Sequence, residues 1–338
     1  MKKRIIGLSL VALVVAYVVV AGKLEMSRTA KPLDGATTPA GPTVATAPLM
    51  DDLRTLSAPA LKGRRTGSEG NKVAQSYIAK RFGALGLQPY GASYAMPFSF
   101  TRTSIPALVV PGKSYKTVYP SATNLVGFIK GSTEPNRIMV VSAHYDHLGE
   151  RGGVTYPGAD DNASGVAAML AIAAHFKQHP PQHTIVFAAF DAEEMGLRGA
   201  AAFVKALPFP REQLAMNLNL DMVSRNDKNE IWVSGLYHNP ALKDLVAAAA
   251  KRSTLKVMAG HDKPFLYAGM VEDWTGSSDH GPFHDAGVPF LYFGVADHDD
   301  YHQPGDVFEK IDPVFYTRVA SLLVDVALTA DQRLATVK

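Results

Sequence analysis

Cysteine is absent from the 338 residues. That excludes disulfides, thiolate metal ligands and a lipid-modified cysteine behind an export signal. A basic block is also lacking once the amino terminus is set aside. Lys2, Lys3, Arg4, Lys23, Arg28 and Lys31 face only Glu25 in residues 1–31, a net of +5, which leaves 28 basic and 30 acidic side chains for the rest. The net charge of +3 therefore belongs to the amino terminus. A near-neutral body offers nucleic acid no electrostatic footprint. Internal repeats are missing too, and no second shift of composition divides the body, so it reads as one domain. A hydrophobic content of 47% with 19% charged residues is enough for a large core.

Lys2-Lys3-Arg4 precedes eighteen uncharged residues, Ile5 to Gly22. Positive charge ahead of an apolar run reads as an export signal with its amino end held in the cytoplasm. The run falls between the apolar region of a cleaved signal, about 7–15 residues, and a spanning helix, roughly 17–25. Val19-Val20-Ala21 is a weak cleavage site. Residues 1–29 are thus expected to be a signal peptide or signal anchor, giving a periplasmic or extracellular protein that meets the membrane only through this segment. Residues 30–49, with four prolines and no aromatic side chain before Met50, are expected to be a disordered linker. Residues 50–338 are expected to form the folded body.

Within the body, helical and strand patterns alternate. Gly70 to Leu85 places Val73, Tyr77, Ile78, Phe82 and Leu85 on one helix face, and Gly86 stops it. Asn124 to Ile129, Arg137 to Ala143, Thr184 to Phe190, Met216 to Leu220 and Val288 to Phe293 read as strands. The third is so continuously apolar that both of its faces should be covered. Helices are expected over Ala163 to Lys177 behind Asn162 as cap, Leu197 to Leu207, Pro240 to Arg252 and Val314 to Leu328. This alternation predicts an α/β domain with a central, mostly parallel (mixed) twisted sheet flanked by helices. Ligands in such sheets lie beyond the carboxyl ends of the strands.

Five segments put metal-binding side chains at those ends: His144-Tyr145-Asp146, Asp160 to Gly165, Asp191 to Glu194, Asn219 to Met222 and Tyr301 to Asp306. Together they offer two imidazoles and three carboxylates as ligands, with one more carboxylate as base. Such a set suits two zinc ions that share a bridging carboxylate and activate one water. Each segment alone could serve a plainer purpose. Asp146 could simply hydrogen-bond within a loop, Asp160-Asp161-Asn162 could cap a helix, and Glu193-Glu194 could face solvent. His280, His284, His298 and His302 crowd the carboxyl-terminal part, and composition does not choose among them. Trp274, Phe283, Phe290, Tyr292 and Met222 are candidates for a substrate pocket.

The ordered set resembles the exported di-zinc aminopeptidase family of clan MH metallopeptidases, which also contains glutaminyl cyclases. The resemblance runs through Gly63 to Gly70, Ala143 to Asp146, Gly158 to Gly165, Glu193 to Gly199, Asn219 to Met222, Ser278-Asp279-His280 and Tyr301-His302. It implies that residues 50–338 are a zinc peptidase domain, with a zinc-exopeptidase fold in which Asp161 bridges two zinc ions. His144 and Asp221 would complete one site, and Glu194 and His302 the other. It also implies Glu193 as general base and Asp146 as the residue that orients His144, with peptides bearing a free amino terminus as substrates. Two other functions are known among such relatives, a single-zinc glutaminyl cyclase and a non-catalytic ectodomain. Cyclase-type relatives tend to carry tryptophan where this chain has Tyr301, whose phenol suits an oxyanion.

Overall fold

The computed structural model describes residues 31–104, 115–263 and 272–337. The segment expected to act as a signal or anchor lies outside the described residues.

Nine strands form the main sheet: β1 (Lys31–Pro32), β2 (Ala95–Ser104), β3 (Tyr115–Ile129), β4 (Glu134–His144), β7 (His183–Phe190), β8 (Leu214–Leu220), β9 (Glu230–Ser234), β10 (Lys256–Ala259) and β11 (Phe290–Gly294). Their order is β1-β10-β9-β11-β8-β4-β7-β3-β2. The middle four, β11, β8, β4 and β7, are mutually parallel, and β3 and β9 flank them antiparallel. A small hairpin of β5 (Gly149–Arg151) and β6 (Val154–Tyr156) stands apart. The mixed sheet agrees with expectation, and its parallel centre is where the chemistry sits.

The central strands divide by alternation. In β4, Met139, Val141 and Ala143 enter one core while Ile138 and Val140 enter the other; in β7, Ile185, Phe187 and Ala189 oppose Val186, Ala188 and Phe190. Side chains two apart share a face, so a continuous apolar run fills both layers. The larger core receives α1 (Thr46–Leu56), α2 (Glu69–Leu85), α3 (Gly165–Gln178), α5 (Lys243–Ala250) and α7 (Pro313–Arg333), and the smaller one α4 (Arg198–Lys205) and α6 (His280–Asp285). Helix α7 is long and apolar enough to cross a membrane, but 67% of its apolar stretch is buried in the fold, which makes it a core helix.

The amino-terminal boundary differs from expectation. Residues 31–45 lie along the body instead of forming a disordered linker. Lys31 and Pro32 pair with Ala259 and Met258, and the amides of Leu33, Ala36 and Ala40 donate to carbonyls of Val257, Ser253 and Arg252. Val44 donates to Ser321 Oγ at 3.0 Å. Prolines are tolerated at a sheet edge because the edge needs only some of its amides. Composition suggests a linker, but hydrogen bonding to the body secures the segment.

Candidate metal centre

Four parallel strands and one turn deliver the centre. His144 ends β4, Asp221 follows β8, Asp191-Ala192-Glu193-Glu194 follows β7, and the loop after β11 carries Tyr301 and His302. Asp161 comes from the irregular turn before α3, where the Asp161–Asn162 peptide is cis. Ala192, Met222 and His302 have φ of +59°, +56° and +54°. Side chains other than glycine seldom adopt these left-handed angles, and here each one is beside or at a site residue.

The expected ligands meet in one place. His144 Nε2 lies 3.3 Å from Asp161 Oδ1 and 3.3 Å from Asp221 Oδ1. Asp161 turns its other oxygen, Oδ2, to His302 Nε2 at 3.1 Å, and Glu194 Oε2 is 3.4 Å from the same nitrogen. The two oxygens of Asp161 thus face two separate donor groups. His147, absent from the sequence-based set, joins the second: its Nδ1 is 2.8 Å from Glu194 Oε1 and 3.6 Å from Asp161 Oδ2. Ligand atoms of His144, Glu193 and Asp221 fall within 4.8 Å of one another, as do those of His147, Asp161 and Glu194.

The donor chemistry fits divalent cations. Both nitrogens of His147 and Oε1 of Glu194 are buried without hydrogen-bond partners. Such orphans are rare unless something else satisfies them. Carboxylates outnumber imidazoles, and the proton affinities reflect it. Burial opposes a charge on His302, but Asp161 and Glu194 outweigh it and hold the ring up to about 10. His144 is likewise pushed well up against its burial, by Asp221 and Glu193. Asp161 is held well below the usual carboxylate range despite burial, because His147, His144 and His302 surround it. Burial drives Glu193 well up, helped by Asp221, Asp279 and Glu194. Imidazole and carboxylate donors without thiolate are a set that zinc accepts.

Around these side chains is a buried hydrogen-bonded frame. Asp146 Oδ1 accepts from the amide of Glu193 at 3.0 Å and lies 3.7 Å from His144 Nδ1. The backbone carbonyl of Asp146 is nearer that nitrogen, at 3.1 Å, so the residue faces His144 through two groups. Asp221 Oδ2 accepts from Ser278 at 2.6 Å, and the chain continues through Asn219, Ser142 and Asn217. Thr66 and Asn71 donate to Asp191 Oδ1, which burial and the Asp146 charge raise to about 6. Arg64, fully buried, donates to the carbonyls of Tyr145, Leu56, Pro157 and Gly158. Burial lowers its guanidinium to about 10, which still leaves it charged at neutral pH.

Other side chains from the same segments are employed elsewhere. Asp160 accepts from Ser224 N and Oγ at 2.7 Å and contacts His298 Nε2 at 3.1 Å. Asn162 Oδ1 accepts from Gly165 N at 2.8 Å, a cap-like bond just ahead of α3. His280 bonds the carbonyl of Trp274 at 2.8 Å, and burial lowers its pKa to about 3. Of the four carboxyl-terminal histidines, His302 is the one that reaches the centre.

A pocket of about 310 Å³ opens over these groups. Trp274, Tyr292 and Met222 form its apolar wall, with Glu272, Asp297 and Tyr301 among the polar lining. The Tyr301 ring stacks on His302 with centroids 4.0 Å apart. Phe283 and Phe290, the other pocket candidates, are fully buried core residues. Asp279, named in the sequence only as part of a motif and without a role, has a buried carboxylate with no hydrogen-bond partner that is driven well up by burial. The only sequence cue for His147 was its position three residues beyond His144.

The chain is similar to several known proteins. A probable zinc metalloprotease of Pyrenophora tritici-repentis (strain Pt-1C-BFP) is 31% identical over 209 residues, covering 52% of this chain and 47% of its own length. Aminopeptidase YwaD of Bacillus subtilis (strain 168) is 35% identical over 173 residues, 50% of this chain and 34% of its own. The chain thus matches about half or less of the length of these relatives. Among solved structures, BSAP, a zinc aminopeptidase from Bacillus subtilis, shares the fold with a TM-score of 0.64 at 20% identity, covering 84% of this chain and 94% of that one. LapB from Legionella pneumophila gives 0.63 at 19% identity, covering 88% and 78%. The family model for Peptidase family M28 matches residues 124–327. That span exceeds half the chain and contains every segment that supplies the centre, so the chain belongs to peptidase family M28.

Proposed function

We propose that this protein is a zinc-dependent aminopeptidase that holds two zinc ions and hydrolyses the first peptide bond of substrates with a free amino terminus. The observation that carries this reading is Asp161, whose two oxygens face two donor groups at the floor of a pocket with Glu193 alongside. His144, Asp161 and Asp221 would hold one ion, and Asp161, Glu194 and His302 the other. Bound there, zinc would polarise the scissile carbonyl and make a water acidic enough to attack it at neutral pH.

The chain's own groups supply the remaining steps. Glu193 takes a proton from the attacking water as its oxygen bonds to the carbonyl carbon. It returns that proton to the departing amine nitrogen as the C–N bond breaks. Asp146 ties the amide of Glu193 and faces His144, so it positions both without touching substrate. Burial raises the Tyr301 phenol, keeping it a hydrogen-bond donor for the carbonyl oxygen as negative charge develops there. The acidic lining holds a substrate ammonium next to the scissile bond, and a pocket of about 310 Å³ suits one side chain. The amino terminus, by its charge and apolar run, supports export to the periplasm or beyond, with residues 1–29 as signal or anchor.

The test compares one peptide with a free amine and the same peptide N-acetylated. The acetylated form lacks the cation and should be cleaved far more slowly. Comparable rates, or release of residues from the carboxyl end, would contradict the proposal.

A further inference from the structure

His147 is the one imidazole of the centre that the reading above leaves without a task. It is fully buried, and its ring packs over Gly158, where a Cβ would come within 2.5 Å of the ring carbon Cδ2. Gly158 has φ +62°, so that backbone also favours a residue without a side chain. The fold therefore keeps a space for this ring. Neither ring nitrogen has a hydrogen-bond partner. Leaving a buried polar group unpaired is costly.

Nδ1 is directed between two carboxylates, 2.8 Å from Glu194 Oε1 and 3.6 Å from Asp161 Oδ2, and Glu194 Oε1 is itself unpartnered. His302 Nε2 approaches the same two carboxylates at 3.1 and 3.4 Å, with the two ring centroids 5.9 Å apart. Two imidazoles thus approach the same two carboxylates, and the ligand atoms of His147, Asp161 and Glu194 fall within 4.8 Å of one another. Pairing with Glu194 alone, 2.8 Å away, is the simpler role for His147, but it leaves the approach of the same nitrogen to Asp161 Oδ2 without a purpose.

We propose that His147 binds the second metal ion through Nδ1, alongside Asp161, Glu194 and His302. This rests on the two-zinc reading. Two nitrogen and two oxygen donors complete the four-coordinate set of a closed zinc site, whereas three protein ligands leave a position open. The two ions are then unequal. The ion beside His147 is enclosed by protein and held tightly. The ion beside His144, Asp161 and Asp221 keeps an open position next to Glu193, and exchanges more readily.

The test loads the full chain with the NMR-active isotope of cadmium and correlates metal with ring protons, since the coupling reaches only histidines bonded to the ion. Three coupled rings are expected, two of them on one cadmium. Two rings, one per cadmium, would overturn the proposal. That count uses the unaltered chain and does not depend on a variant folding. In parallel, His147→Gln should weaken one zinc site by more than about 100-fold in chelator competition and leave the other unchanged. Loss of an outer-shell partner costs roughly 10–100-fold, so a loss in that range or smaller would overturn it as well. A single cadmium signal in the unaltered chain would instead overturn the two-zinc reading itself.

Discussion

Glu193 and Glu194 are adjacent in the chain yet face different neighbours. The Glu194 carboxylate lies between His147 and His302, where a ligand belongs. Glu193 has its amide tied to Asp146, and its carboxyl group falls with His144 and Asp221, pushed up by burial. A carboxyl group of raised proton affinity suits a base that must take and return a proton. Glu193→Gln should therefore retain both metals and lose roughly 10²–10⁴-fold in turnover, the range for general acid–base catalysis. Glu194→Gln should lose metal. Metal analysis beside turnover checks both, and zinc depletion in the Glu193→Gln protein would make Glu193 a ligand instead. At this scale the ordered motifs pointed to the acids, and only the family resemblance singled out His302 among the carboxyl-terminal histidines. His147 was not legible, because nothing in local periodicity distinguishes a ligand from a neighbouring loop histidine; only the Gly158 cradle and the facing carboxylates do.

The elements aim these residues, and Arg64 joins several of them. Its guanidinium binds carbonyls at the end of α1, after β4 and just before α3, regions far apart in the chain. Arg64→Met keeps much of the bulk but leaves four buried carbonyls without their donor. Removing one partner of such a buried charged set should cost about 3–5 kcal/mol. Urea denaturation measures it, and a loss below about 1 kcal/mol would show that the four bonds are replaceable. The Gly63 to Gly70 segment was recognisable as a motif, but its bracing role depends on long-range contacts that no local pattern encodes. The buried central strands were legible because a continuous apolar run requires cover on both faces. The antiparallel β2–β3 pair was only partly so: β2 is largely exposed and carries Pro97, threonines and serines, a composition equally suited to a loop. Residues 31–45 misled for the opposite reason, since a proline-rich stretch low in apolar side chains was secured by backbone bonds.

At the scale of the molecule, the parallel strands β7, β4, β8 and β11 end along one edge, and the side chains beyond them form the centre. That edge gathers buried carboxylates in excess of imidazoles, an arrangement costly without compensating positive charge. The central claim is that two zinc ions provide it. The most direct measurement is the zinc-to-protein ratio of the purified, active full chain, followed through stepwise chelation and zinc replacement. The account predicts two zinc ions per chain, with activity lost as they are removed and regained as they return. A fully active chain holding one zinc, or activity that survives complete removal, would contradict it.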